Sequence, residues 1–344
     1  MKMEGIKFYN CLEKPLALYG LCGITEEGFF RMPKETMEKM EAQMAHDQKL
    51  YRQTAGGRVR FKTDANKIVI KAKTDPAGFN ANGNTLNHMN FDLYKEVGGK
   101  LVFETNFLSW EQEAKEGFLQ VSKDLKGGKM TEYTLYMPCY GGVFSLELGF
   151  PEEARVEEPR AYTIEKPIVF LGSSITQGGC SSRPGLQYQG YVSRRLDADF
   201  VNLGFSGSCR AEIEIMEYVA NLPMSAFVYD YDHNAPTLEH LEETHLRGYK
   251  IVREKNPELP IVLMSRPGYD IYSSYDAKRR ITIQKTYQYG IENGDENLYY
   301  IDGYSLFEGE DRTECTVDGC HPNDIGMHRM GIAVSNALFF ALNK

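Results

Sequence analysis

The sequence predicts two domains, an antiparallel β-sandwich followed by a three-layer α/β/α domain on a parallel sheet. Three observations lead there. Short runs of alternating polar and apolar residues occupy roughly residues 50–150. Continuous apolar runs separated by helical segments occupy the second half. A chain of 344 residues is also too long for one small core.

The alternating runs are RVRFKT (58–63), KIVIKAKT (67–74), KLVFETNF (100–107), TEYTLYMP (131–138) and VFSLELGF (143–150). The breaks DANK, EVGGK and LKGGK between them are turn formers, so several short strands at this spacing read as a sandwich. Ahead of them, residues 32–53 carry an apolar or methionine residue every three or four positions, which predicts one helix. Residues 151–167, PEEARVEEPRAYTIEKP, are rich in proline and glutamate without an apolar face and read as a linker. The domains are therefore expected at 1–160 and 161–344.

After the linker the pattern changes. PIVFLG, DFVNLGF, SAFVYDY, LPIVLMS and NLYYIDGY are apolar throughout, and helical stretches lie between them. Strands buried on both faces and alternating with helices make a parallel, doubly wound sheet. A last helix, DIGMHRMGIAVSNALFFALNK, closes the sequence.

Composition excludes some classes. Hydrophobic content of 42% with 25% charged residues is that of a globular domain, and a net charge of −9 argues against nucleic-acid binding. The first 20 residues lack the apolar stretch of a signal peptide, and no later segment reads as a membrane span. The seven cysteines are odd in number and scattered, which fits a reducing compartment, and no CxxC or HxxxH cluster suggests zinc. The expectation is a cytoplasmic protein that contacts neither membrane nor nucleic acid and needs no metal or organic cofactor.

In a doubly wound sheet, ligands sit beyond the carboxyl ends of the strands. The first strand is followed by Gly172-Ser173-Ser174-Ile175-Thr176, the second by Gly204-Phe205-Ser206-Gly207, and the third by Asp232-His233-Asn234. Asp318-Gly319-Cys320-His321 precedes the last helix. A serine attacks a carbonyl when a histidine takes its proton and a carboxylate holds that histidine. Asp318 and His321, three residues apart, can supply that pair. The backbone N–H groups of Ser174 and Gly207 and the side-chain amide of Asn234 can serve the oxyanion.

These four blocks, in this order and spacing, resemble those of the SGNH (GDSL-type) hydrolases over residues 165–344. The strings GSSITQGGCSSRPG, NLGFSGS, DYDHNAP and DGCHPNDIG are similar to a bacterial branch with an amino-terminal β-sandwich. The resemblance implies a flavodoxin-like α/β/α catalytic domain, the SGNH hydrolase fold, preceded by a jelly-roll-like sandwich. It implies Ser174 as nucleophile, Asp318 and His321 as its partners, and Ser174, Gly207 and Asn234 as the oxyanion hole. The usual Gly-Asp-Ser is Gly172-Ser173-Ser174 here, and the third block lacks the usual Gly-x-Asn-Asp form, so Asn234 rests on position alone.

Other readings stay open. Asp230 and His233 repeat the Asp-x-x-His spacing, although loop-holding is the simpler role for His233. Ser173 and Thr176 read as capping or turn hydroxyls, Gly204 and Gly207 as tight-turn glycines, and Cys180, Cys209 and Cys320 as small packing residues. His240 and His245 read as solvated on a charged helix. Arg210 and Glu212 read as pocket lining or a surface pair, and Trp110 as core or a sugar platform. The expected activity is hydrolysis of short acyl esters, most of all acetyl esters of carbohydrates, so the expected partner is an acetylated oligosaccharide. A general short-chain carboxylesterase is the alternative in the same chemistry, and an inactive carbohydrate-binding scaffold the alternative in another. The subunit count stays open, with a homo-oligomer among the options.

Overall fold

The structure, a computed structural model, describes residues 3–41, 48–76, 85–109, 111–272 and 276–344. It divides into two compact units. The first comprises Met1–Pro33, Tyr51–Ala161 and Ser182–Gly185, and the second Lys34–Leu50, Tyr162–Ser181 and Leu186–Lys344. The change of unit at Ala161/Tyr162 lies one residue from the expected cut. The unit at 1–160 is nonetheless corrected twice, because Lys34–Leu50 belongs with the second unit and Ser182–Gly185 with the first.

The first unit is an antiparallel β-sandwich. One sheet has the order β1 (Ile6–Asn10), β11 (Val143–Pro151), β6 (Lys67–Thr74), β9 (Phe118–Asp124). The other has the order β12 (Val156–Glu157), β5 (Arg58–Thr63), β10 (Thr131–Tyr136), β7 (Phe91–Val97), β8 (Lys100–Phe107), with β2 (Ala17–Tyr19) also on β5. A hairpin, β3 (Gly23–Thr25) and β4 (Gly28–Phe30), stands apart. Alternation has its expected result: Ile68, Ile70, Leu146 and Leu148 are buried, while Lys73, Ser145 and Glu147 face solvent. Phe61 stacks on Tyr133 at 5.5 Å and meets Phe150 edge-on at 5.3 Å in the core. Arg183 donates to the buried Asp92 at 2.9 Å and lies 3.9 Å over the Phe103 ring, which accounts for the place of Ser182–Gly185 in this unit.

The second unit holds β13 (Ile164–Gly172), β14 (Ala198–Gly204), β15 (Ala226–Asp230), β16 (Ile261–Met264) and β17 (Leu298–Ile301), all parallel. Their order is β14-β13-β15-β16-β17, the flavodoxin-like order, which opens a crevice beyond the carboxyl end of β13. Every residue of β14, β15 and β16 is buried, as a sheet covered on both faces requires. Helices Tyr188–Leu196 and Asp324–Leu342 pack together, and Ile213–Asn221, Leu238–Lys255 and Asp276–Glu292 form a second group.

Three expectations are revised. The predicted helix over 32–53 is a helix at Lys34–Glu41 and a 3₁₀ turn at Gln48–Tyr51, the residues between lying outside those described. The helix packs on Ile213–Asn221, which explains its place in the second unit. The predicted linker holds β12 and is tied down by Arg155 donating to Asp64 at 2.8 Å. The last helix is long and apolar enough to cross a bilayer by length and composition, contrary to expectation. Its Met327, Met330, Val334 and Leu338 are buried in the α/β unit.

Candidate active site

Three strand ends lie abreast: Gly172 of β13 is level with Gly204 of β14 and Asp230 of β15. Both glycines are there for want of space. A Cβ on Gly172 would come within 2.3 Å of the Asp230 carbonyl oxygen, and one on Gly204 within 2.1 Å of the Gln177 nitrogen.

The chain turns at Gly172 into a short helix, Ser174–Gln177. Ser173 caps it, its hydroxyl accepting from the Ile175 N–H at 3.2 Å, and Gly178 ends it in the left-handed region at φ 111°. The helix is anchored on several sides. The Thr176 hydroxyl donates to Asp230 at 2.9 Å. The Thr176 carbonyl accepts from Asn202 and Gln189 at 2.7 Å each. Gln177 accepts from the Ser206 N–H at 2.9 Å, and Gly172 accepts from the Phe205 N–H at 2.8 Å. Ser174, the first residue of this turn, is thus held by a network rather than by a flexible loop, with 9% of its surface exposed.

Ser174 Oγ lies 2.9 Å from His321 Nε2, and His321 Nδ1 lies 2.8 Å from Asp318 Oδ2. The other carboxylate oxygen of Asp318 accepts from the backbone N–H groups of His321 at 2.7 Å and Cys320 at 2.9 Å. Burial pulls the Asp318 carboxyl upward, but hydrogen bonds from the His321 backbone, the His321 ring and the Cys320 backbone together hold it below the usual carboxylate range. This arrangement can pass a proton from a serine hydroxyl to an imidazole whose charged form an ionised carboxylate stabilises.

Gly207 is exposed, has φ 69°, and its Cα faces open space. Asn234 ends the 3₁₀ turn Asp232–Asn234 after β15, its Oδ1 buried with no hydrogen-bond partner among the described residues.

The second Asp-x-x-His is not joined. Asp230 accepts from Thr176 and, at 3.3 Å, from Tyr188, and burial pushes its carboxyl up to about 6. His233 Nδ1 faces Cys320 Sγ at 3.9 Å, and burial, with the charges of Arg266 and His321, holds its imidazole well below the usual range.

Two histidine expectations are corrected. His245 is not solvated: it is fully buried, bonds Thr286 at 2.8 Å and stacks on Tyr229 at 4.6 Å, because it lies on the sheet-facing side of its helix. His240 is half-buried and meets the Arg210 carbonyl at 3.1 Å. Glu212 accepts from the Arg210 backbone N–H at 3.3 Å, so the two are linked through the main chain. Burial pushes the Cys180 thiol up to about 11 and the Cys209 thiol well above its usual range, against a thiolate role for either. Trp110 lies outside the described residues.

Sequence reasoning missed Gln177, Tyr188 and Arg279, and placed Asn202 in the second block without a role. Thr176 was visible as a turn hydroxyl, but Tyr188 and Arg279 come from helices whose sequence shows only polar periodicity.

A serine just after the first parallel strand, hydrogen-bonded through a histidine to an aspartate in the loop before the last helix, is an arrangement that can carry acyl-transfer chemistry on an α/β sheet. Residues 165–338, just over half of the chain, match the GDSL-like lipase/acylhydrolase family model, and the chain belongs to that family. Residues 6–156 match the amino-terminal domain model of SGNH hydrolase-type esterases. A protein of Bacteroides ovatus assigned as a GDSL-like lipase is 27% identical, with 98% of each chain covered and a TM-score of 0.83. The salicylyl-acyltransferase SsfX3 of a tetracycline biosynthetic pathway is 17% identical over 98% of each chain, TM-score 0.79. The acetyl xylan esterase Est2A of Butyrivibrio proteoclasticus shares the fold at 12% identity and a TM-score of 0.60, over 98% of this chain and 99% of its own. A search of curated proteins gave no match.

Proposed function

We propose that this chain is a serine esterase that removes short acyl groups, above all acetyl, from carbohydrate. The observation that carries the reading is the hydrogen-bonded chain from Ser174 Oγ through His321 to Asp318, at 2.9 and 2.8 Å. Ser174 Oγ adds to the ester carbonyl as its proton passes to His321 Nε2, and Asp318 stabilises the imidazolium. The carbonyl electron pair moves onto oxygen, where the N–H groups of Ser174 and Gly207 and the Asn234 amide donate to it. Collapse breaks the ester C–O bond, and His321 returns the proton to the departing alcohol. Water, deprotonated by His321, then releases the acid from Ser174. The step needs no metal, and the acetylated sugar is proposed to be taken up and deacylated in the cytoplasm. That the fold also serves an acetyl xylan esterase prompts the choice of acyl group and alcohol.

The test is release of p-nitrophenol from p-nitrophenyl acetate and longer esters by wild type and Ser174→Ala, with a serine-directed phosphonate as label. We expect a loss of roughly 10³–10⁶-fold in the variant, phosphonate on Ser174, and rates that fall with acyl length. An inert wild type or an equally active variant would sink the esterase reading, and an inert but folded wild type would favour a scaffold.

A further inference from the structure

We infer that Arg279 is a positioning residue for the oxyanion donor Asn234, an inference that rests on the esterase reading above. Arg279 lies on the helix Asp276–Glu292 and is buried, 5% exposed. Its Nη1 donates to the Asp232 carbonyl at 2.5 Å and its Nη2 to the Ala235 carbonyl at 2.8 Å. Those two carbonyls bracket Asn234 in a turn of four residues.

Burying a guanidinium is costly unless its donors are satisfied. Here the planar fork spans two main-chain oxygens, a geometry that a lysine ammonium cannot reproduce. The fork holds the 232–233 and 235–236 peptides, the two ends of the short segment that contains Asn234, and so restricts the main-chain path from which the Asn234 amide projects.

The same turn is tied to the histidine loop. The Arg266 N–H donates to Asp232 Oδ2 at 2.9 Å, and Arg266 Nη2 donates to the Gly319 carbonyl at 3.3 Å, between Asp318 and His321. Arg266 thus joins the turn carrying the donor to the loop carrying the base, while Arg279 sets the donor's own orientation. Oxyanion donors act only when held where charge develops, and a misplacement of about 1 Å costs on the order of 10²-fold.

The experiment is a double-mutant cycle on ester hydrolysis with Asn234→Ala, Arg279→Met and the pair, Arg279→Lys as a milder variant and Ser174→Ala as reference. The side-chain amide NMR signal of Asn234, identified by its loss in Asn234→Ala, is read in parallel. Arg279→Met is expected to lower kcat roughly 10- to 100-fold with KM held, and the pair to be no slower than Asn234→Ala alone. The Asn234 amide signal is expected to shift or broaden in both Arg279 variants. Losses that multiply in the pair, a wild-type kcat in Arg279→Met, or an unmoved amide signal in Arg279→Lys would overturn the inference. A normal rate in Asn234→Ala beside an inert Ser174→Ala would overturn it while sparing the esterase reading. Full activity in Ser174→Ala would remove that reading, and the amide signal would still decide whether Arg279 positions Asn234. If Arg279→Met does not fold, Arg279→Lys and its signal decide alone.

Discussion

Two loops of the α/β unit carry the same four-residue motif and put it to opposite uses. In Asp318–His321 the carboxylate bonds the imidazole of its own motif at 2.8 Å and is held below the usual carboxylate range, after burial is offset by three hydrogen bonds from His321 and Cys320. In Asp230–His233 the aspartate is fully buried, bonds the hydroxyls of Thr176 and Tyr188, and is pushed up to about 6. Its histidine faces a thiol. Spacing brings an aspartate and a histidine near each other, but the environment decides whether the pair can move a proton. Asp318 sits in a half-open loop with backbone donors. Asp230 ends a central strand, where its side chain must serve the turn that holds Ser174.

The largest effects should break the first loop. His321→Ala should lower kcat by roughly 10⁴–10⁶-fold, measured on p-nitrophenyl acetate. Asp318→Asn should cost roughly 10⁴-fold, for a reason the hydrogen bonds specify. Two backbone N–H groups require an acceptor at Oδ1, so the new amide nitrogen must occupy the Oδ2 position and donate to His321 Nδ1. That forces the proton onto Nε2, which then cannot accept from Ser174. A loss below tenfold would mean that the carboxylate does not orient the base.

Asp230→Asn should leave the chemistry nearly intact and change the pH dependence of stability instead. The folded carboxyl holds its proton up to about 6, against 3.8 as its ordinary value, so folding favours the neutral form. Stability therefore falls as pH rises from about 4 to 6, and above that window the ionised group costs about 3 kcal/mol. The asparagine cannot ionise and can still accept from Thr176 and Tyr188. Unfolding free energies from urea titrations at pH 4 and pH 7.5 should differ in favour of the variant at the higher pH by an amount on the order of 3 kcal/mol. A difference between the two proteins that ignores pH would contradict the assigned proton.

Much of this was legible in the sequence, and the remainder for a reason. The five continuous runs gave the parallel strands, and glycines at 172 and 204 marked where the backbone crowds. Three blocks marked the strand ends after which Ser174, Gly207 and Asn234 stand, and the fourth the loop before the last helix that holds His321. The supports were not legible. Tyr188, Asn202 and Arg279 reach the site through tertiary approach from elements whose local pattern serves only helix or strand formation. Strands β7 and β9 were missed too, although the turn formers of EVGGK and LKGGK follow FDLYKEV and FLQVSKD, and His245 was misread because its helix looks charged while one face meets the sheet.

The smallest effect should come from His233, and it sharpens the comparison most. Burial keeps its imidazole neutral, helped by the nearby charges of Arg266, His321 and Arg279, and among the described residues no carboxylate bonds either ring nitrogen. Its Nδ1 reaches only the Cys320 thiol, and its Nε2 has no hydrogen-bond partner among the described residues. A histidine so placed packs the turn that holds Asn234 and moves no proton. His233→Asn should therefore change kcat less than tenfold, whereas loss of a general base costs roughly 10²–10⁴-fold. A fall in that higher range, with the protein still folded, would make the buried motif a second proton-transfer pair and dissolve the contrast between the two loops.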